Sequence, residues 1–237
     1  MSLKIGIPSK GRLMESTFNW FGDRGITLSR SGSDREYAAH IEGVSGVSIV
    51  LMSAGEVPRD LMAGRIHLGV TGTDLVREKI PLWSDHVIDL AEMGFGHADL
   101  ILAVPDFWID VSCLDDLDAA AAAFRAKHGF RMRIATKYHR LIREYLAENG
   151  VADYQIVDSQ GATEGTVKNL TAEMVADITS TGETLRANHL KPLADGPILH
   201  SQATLFASRA SEWSDDTRRS LQELCDKLGL AAPDLLS

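Results

Sequence analysis

Short apolar runs at residues 3–7, 47–52, 68–71, 86–91, 99–104, 132–136, 154–158, 174–178 and 203–207 punctuate the chain and predict strands. Between them, residues 14–21, 57–62, 74–79, 114–128, 137–149 and 212–228 place apolar positions at helical spacing. Gly129, Gly150 and Gly229 stand where three of those helices should stop. The alanine run 119–123 falls inside one of them and reads as a good helix former. Strands alternating with helices predict an α/β protein whose sheets are mixed but mostly parallel.

Two places along this pattern suggest that the chain forms two lobes. Met93-Gly94-Phe95-Gly96-His97-Ala98 is glycine-rich where one α/β unit ends and the next begins, and reads as one strand of a hinge. A second crossing is expected near Leu190-Lys191-Pro192, where Pro192 disfavours continuation of a helix. The expectation is a discontinuous first lobe, 1–95 plus 190–237, a second lobe, 96–189, and a ligand cleft between them.

Composition narrows the partners. The 237 residues are 44% hydrophobic and 24% charged, globular proportions that allow two cores. A net charge of -9 argues against nucleic acid, because no basic stripe could release many counterions. The first residues lack an apolar leader and no window approaches a membrane span, so a cytoplasmic protein with no membrane contact is expected. Cys113 and Cys225 read as reduced thiols, and the eight histidines show no close ligand spacing, so no transition-metal site is expected. His139 and His189 read as surface residues, and the four scattered tryptophans as packing.

The candidate chemistry begins at Asp177-Ile178-Thr179-Ser180-Thr181-Gly182-Glu183-Thr184, which follows the apolar run Met174-Val175-Ala176. A hydroxyl-rich loop between a strand and a helix offers free backbone N–H groups, the positive end of a helix dipole and hydroxyl donors to a phosphate. Gly182 lets the backbone approach closely. Asp177 would repel a bare phosphate but accepts hydrogen bonds from vicinal hydroxyls, so the loop reads as a sugar phosphate site. An ordinary capped turn has the same residue types. A second feature is Gly6-Ile7-Pro8-Ser9-Lys10-Gly11-Arg12-Leu13, which has P-loop glycine spacing but carries Arg12 and Leu13 where Lys and Ser/Thr belong. Lys10 and Arg12 remain candidate clamps for a triphosphate or pyrophosphate.

The threonine loop resembles the 5-phosphoribosyl-diphosphate loop of phosphoribosyltransferases, with Ile178 where most type I members have a second acid. Residues 5–13, Leu68-Gly69-Val70-Thr71-Gly72-Thr73-Asp74-Leu75-Val76-Arg77-Glu78, Ile134-Ala135-Thr136-Lys137-Tyr138, Gly161-Ala162-Thr163-Glu164 and 177–190 follow one another in the order seen in the ATP phosphoribosyltransferases, the first enzymes of histidine biosynthesis. The chain is similar to that family over nearly its whole length, and to its short, catalytic form, since it stops soon after Leu230.

The resemblance implies a two-lobed fold like type II periplasmic binding proteins. It implies transfer of 5-phosphoribosyl from 5-phosphoribosyl 1-diphosphate to N1 of ATP with release of pyrophosphate. Mg²⁺ is the implied cofactor, held through substrate phosphates with no protein ligand assigned. The implied partner is a regulatory subunit resembling histidyl-tRNA synthetase, in a hetero-octamer whose catalytic chains dimerise. On this reading Asp177 holds ribose hydroxyls and Thr179, Ser180, Thr181, Gly182, Glu183 and Thr184 the 5-phosphate. Lys10, Arg12, Arg35, Gly72, Asp74 and Glu164 are the candidates for ATP and pyrophosphate, and no general base is assigned. The family's commoner arginines are missing from Ser53-Ala54-Gly55-Glu56-Val57-Pro58, where Arg35 and Arg59 are the nearest replacements. The competing readings are a phosphoribosyltransferase for another base and a non-catalytic two-lobed solute-binding protein.

Overall fold

The computed structural model describes residues 2–30, 38–159, 161 and 163–235. Its backbone divides into two units, Met1–Gly96 with Gln202–Ser237, and His97–Ser201.

The first unit contains β1 (Leu3–Pro8), α1 (Gly11–Gly22), β2 (Thr27–Arg30), β3 (Ala38–Glu42), β4 (Val47–Met52), α2 (Val57–Met62), β5 (Leu68–Gly72), α3 (Thr73–Lys79) and β6 (Val87–Glu92). The second contains β7 (Ala98–Pro105), α4 (Leu114–His128), β8 (Met132–Thr136), α5 (His139–Glu148), β9 (Tyr154–Asp158), α6 (Gly165–Lys168), β10 (Met174–Thr179), α7 (Glu183–Ala187), β11 (Leu190–Pro192) and β12 (Leu199–Ser201). The chain then returns to the first unit with β13 (Ala203–Ser208) and α8 (Asp215–Leu228).

The first sheet runs β2-β3-β4-β1-β5-β13-β6 and the second β11-β7-β10-β8-β9, with β12 also on β7. Both are mixed. Parallel pairing is confined to β4-β1-β5 and β10-β8-β9, and antiparallel pairings outnumber it among the described residues, so "mostly parallel" overstates the case. The cause lies in the connections. β13 inserts antiparallel beside β5, and β10 pairs antiparallel with β7 while keeping a parallel partner in β8.

Period-2 alternation decides which face each side chain serves. Leu3, Ile5 and Ile7 join Leu68, Val70, Leu205, Phe21 and Leu224 in one core, while Phe206 joins Val57, Leu61 and Val76 on the opposite face. On that opposite face α2 lies so close that a Cβ on Gly69 would stand 2.5 Å from Val57 Cγ1. The second unit repeats the arrangement. Leu100, Leu102, Ile134, Met174 and Ala176 meet α4 and α5, whereas Ile101, Ala103, Ala135 and Val175 meet Leu185 and Leu190. Each fully buried Leu or Ile contributes about 1.5–3 kcal/mol.

Three expectations shift. The second crossing falls after Ser201, not near residue 190, because β11 and β12 both pair antiparallel with β7 and keep residues 190–201 in the second unit. α8 starts at Asp215 rather than 212, because the Ser214 hydroxyl caps it by accepting from Thr217 N–H. α5 starts at His139 rather than 137, because Tyr138 N–H donates to Thr136 Oγ1 at 2.9 Å and leaves Lys137 in the turn. The β2–β3 hairpin and the three-residue strands β11 and β12 were not expected, since their sequences carry little apolar alternation.

Candidate active site

The threonine loop leaves the C-terminal end of β10. Asp177 is the fourth residue of that strand, with its carboxylate accepting from Ile178 N–H at 2.8 Å. Thr179 Oγ1 accepts from Gly182 N–H at 3.0 Å and Thr181 Oγ1 from Glu183 N–H at 3.3 Å. Each hydroxyl therefore folds the loop as an acceptor and keeps its own proton to donate outward. Gly182 adopts φ +70°, a left-handed conformation that admits the turn into α7. Arg186 Nη2 donates to the Thr181 carbonyl at 3.1 Å and ties the turn to the helix.

A pocket of about 240 Å³ opens here, lined by Asp177, Thr179, Ser180, Thr181, Thr184 and Glu164 among others. Two features of the expected cradle change. α7 has only five residues, so its dipole is small, and the donors are local: the first-turn N–H groups of Thr184 and Leu185, which the helix itself leaves without acceptors, and the loop hydroxyls. Ser180 Oγ donates to the His97 carbonyl at 2.9 Å, so its proton anchors the loop to the start of the second unit rather than facing the pocket. Glu183 is exposed, at the first position of α7, and is not among the residues lining the pocket.

Lys137 was quoted in a motif but given no role, and it belongs to this site. Its Nζ stands 3.5 Å from Asp177 Oδ1. β8 and β10 are parallel neighbours with Ile134 opposite Met174 and Ala135 opposite Val175, so extending the register by two residues places Lys137 beside Asp177. Pairing of the two strands was the missing signal. His139 is also less peripheral than expected: its Nε2 lies 2.9 Å from Asp158 Oδ1 and 3.1 Å from the Thr136 carbonyl, on the turn that carries Lys137. His189 is exposed, as its sequence position suggests, with Nδ1 3.6 Å from Asp106.

Glu164 was grouped with the ATP-side residues, but it lines the loop pocket together with Asp177. It precedes α6 without capping it by its side chain. Thr163, fully buried, receives a hydrogen bond from Ser159 Oγ at 3.1 Å and fixes this corner.

In the first unit, Lys10 and Arg12 are exposed at the N-terminal end of α1, directly after the central strand β1. Gly72 and Asp74 occupy the equivalent turn after β5, the parallel neighbour of β1. The four residues thus lie at the C-terminal ends of two central parallel strands, where ligands of open α/β sheets bind. Asp74 is only 5% exposed. The adjacent turn after β4 is closed on itself: Glu56 Oε2 accepts from Ser53 N–H at 3.0 Å, which lowers the Glu56 pKa, and Lys79 Nζ donates to the Gly55 carbonyl at 2.7 Å. Arg59 pairs with Asp60 at 3.2 Å, which leaves it a surface residue. Arg35 lies outside the described residues.

The family model described as HisG, ATP phosphoribosyltransferase, matches residues 53–229. A curated ATP phosphoribosyltransferase of Cereibacter sphaeroides is 67% identical over 237 residues, covering all of both chains. The chain belongs to the ATP phosphoribosyltransferase family.

Solved structures agree on the fold of this family member. An ATP phosphoribosyl transferase (HisG:HisZ) complex from Thermotoga maritima matches with a TM-score of 0.72 at 24% identity, covering 96% of each chain. A probable amino-acid transporter extracellular-binding protein of Bacillus subtilis matches with a TM-score of 0.50 at 12% identity, covering 97% of this chain and 95% of that one. The α/β fold of the family is therefore shared with binding proteins of the periplasmic type. Among the described residues no helix is long and apolar enough to cross a membrane.

Proposed function

We propose that this chain transfers the 5-phosphoribosyl group from 5-phosphoribosyl 1-diphosphate to N1 of ATP, releasing pyrophosphate and forming N1-(5-phosphoribosyl)-ATP, the first step of histidine biosynthesis. The observation that carries the reading is the pairing of Lys137 with Asp177 beside the threonine loop, in a chain of this family. Asp177 accepts from the ribose hydroxyls, the hydroxyls of Thr179, Thr181 and Thr184 and the N–H groups of Thr184 and Leu185 hold the 5-phosphate, and Lys137 offers a cation to the departing pyrophosphate.

Adenine N1 carries a free lone pair at neutral pH, so the chain's work is positioning and charge stabilisation rather than proton abstraction. Lys10, Arg12, Gly72 and Asp74 are assigned to ATP and its polyphosphate, with Arg35 as a further candidate. Mg²⁺ would be held mainly through substrate phosphates: among the described residues no cluster of three metal-ligating side chains exists, and the carboxylates of Asp177 and Glu164, which line the loop pocket, are the oxygen donors nearest to hand. When bound it neutralises charge on the leaving group. The HisG:HisZ complex of Thermotoga maritima supports a second assignment: this chain is the short, catalytic subunit of a cytoplasmic hetero-oligomer with a histidyl-tRNA-synthetase-like regulatory partner, an octamer with paired catalytic chains.

The test mixes the purified chain with ATP, 5-phosphoribosyl 1-diphosphate and Mg²⁺, with and without the partner, and follows ultraviolet absorbance with pyrophosphate release. Stoichiometric pyrophosphate and a new chromophore that retains the triphosphate are expected. Release with orotate or a free purine but not with ATP would reassign the acceptor, and no turnover of any acceptor with the partner present would remove the enzymatic reading.

A further inference from the structure

The second unit has a larger cavity than the loop pocket, about 500 Å³ against about 240 Å³. It lies beyond the end of β7. Phe107 and Trp108 form one wall, Val167 and Leu170 another, and Ala187 and Asn188 at the end of α7 a third. That volume falls in the range of about 300–1,000 Å³ typical of small-ligand sites, which are also chiefly apolar. Phe107 is 70% exposed and Leu170 80%, so the cavity is rimmed by apolar groups that a ligand would cover.

Its walls are held in a left-handed backbone that residues other than glycine seldom adopt, φ 58° at Leu170 and 55° at His189. Hydrogen bonds keep both there. Leu170 N–H donates to the Val167 carbonyl at 3.0 Å, and the Leu170 carbonyl accepts from Arg133 Nη2 at 3.1 Å. His189 N–H donates to the Arg186 carbonyl at 3.1 Å, and the His189 carbonyl accepts from Asp106 N–H at 2.9 Å.

The charges along the lining are unequal in what they have left to offer. Arg133 and Glu173 satisfy each other at 2.6 Å, and His189 faces Asp106 at 3.6 Å. Lys168, exposed at the end of α6, makes no ion pair among the described residues. Lys191 Nζ donates to the carbonyl of the lining Trp108 at 2.7 Å, so two lysines stand here against the one carboxylate of Asp106, an excess of positive charge that suits an anionic head group on an apolar body.

The cavity and the loop pocket also use opposite ends of the same elements. Glu164 before α6 and Thr184 and Leu185 of α7 line the loop pocket, whereas Val167, Lys168, Ala187 and Asn188 line the cavity. Ala172, Val175, Leu185 and Leu190 pack in one cluster between them, with Val167 against it. We infer that this cavity binds a small aromatic anion and that its occupancy is coupled, through α6 and α7, to the affinity of the threonine loop. The coupling rests on the loop's being the phosphoribosyl site; the binding does not.

The probe is the aromatic anion 8-anilinonaphthalene-1-sulfonate, titrated by fluorescence into the full chain, with ribose 5-phosphate binding followed by calorimetry. Saturable binding at one site is expected, weakened at least fivefold by Phe107→Ala and by Lys168→Glu with unchanged circular dichroism. Saturating ribose 5-phosphate should shift the probe's Kd at least threefold, and saturating probe should shift the Kd of ribose 5-phosphate by the same factor, as reciprocity requires. A probe affinity unchanged in both variants overturns the site, and so does a Phe107→Ala effect seen only in the sedimentation of the chain, which would mark a protein interface. Ribose 5-phosphate that binds without moving the probe overturns the coupling. Failure of ribose 5-phosphate to bind instead counts against the loop assignment, and leaves the cavity to be judged by its two variants.

Discussion

Lys137 Nζ stands 3.5 Å from Asp177 Oδ1, and the pair joins the turn after β8 to its parallel neighbour β10. Both groups are partly exposed, so the contact stabilises the fold by no more than about 1 kcal/mol. Its value lies in the site. Lys137→Met should leave the unfolding free energy within about 1 kcal/mol. It should lower kcat/KM for the phosphoribosyl donor by about 10- to 100-fold, the equivalent of roughly 1.4–2.7 kcal/mol. Steady-state kinetics and urea unfolding on the same preparation decide it, and intact kinetics would remove Lys137 from the site.

Gly182 at φ +70° has Arg186 Nη1 3.1 Å from where a Cβ would stand. Gly182→Val forces a β-branched residue into the left-handed region at about 1–2 kcal/mol or more, and the loop should lose its shape. Donor saturation should disappear while ATP binding, measured by calorimetry, stays within twofold. Thr184→Ala, which deletes one hydroxyl donor, should raise the donor KM about 3- to 10-fold, as for the loss of about 1 kcal/mol of hydrogen bonding. Equal loss of ATP binding in both variants would show that the loop serves the whole molecule and not the donor.

His67 is buried in the first unit, its Nδ1 accepting from Lys4 N–H at 3.1 Å, which leaves Nε2–H to donate to the Glu212 carbonyl at 3.2 Å. Burial pushes its pKa below the ordinary 6.5, outweighing the Glu212 carbonyl. The neutral imidazole therefore contributes its full stability above pH 6.5. As pH falls below that value the unfolded chain takes up a proton the folded one resists, and stability declines through the lowered folded pKa. Urea unfolding at pH 7.5, 6.5 and 5.5 should show this decline, and His67→Gln, able to accept and donate in the same places, should flatten it. An equal slope in the variant would assign the effect to other groups.

Cys225 is fully buried under α8, and burial raises its thiol pKa to about 11. Cys113 precedes α4 and is partly exposed. Iodoacetamide at pH 8 should alkylate Cys113 in the native protein and reach Cys225 only after denaturation, as read by peptide mass spectrometry. Native labelling of both at one rate would contradict the packing of α8.

The conformation of the loop was legible at the level of single residues because its causes are local. Gly182 turns left-handed, Thr179 and Thr181 accept from N–H groups three and two positions on respectively, and Asp177 ends an apolar run; each needs only its neighbours in the chain. The basic turn at Lys10 and Arg12 was legible for the same reason, since a strand followed by glycine and a helix places them at the C-terminal end of that strand. The family follows from the order of such motifs along the chain.

Contacts made by residues far apart in the sequence were decided only by tertiary structure. Lys137 and Asp177 are 40 positions apart and meet because β8 and β10 run parallel in one register, and no periodicity within either strand records that pairing. Glu164 joined the threonine-loop pocket because α6 packs against β10. The return to the first unit moved from residue 190 to residue 202 because two three-residue strands, too short to carry a pattern, find their hydrogen-bond partners on β7. Hydrophobic period and turn chemistry are properties of a few consecutive residues and survive in the sequence, whereas register between strands is a property of the packed sheet and exists only once the chain has folded.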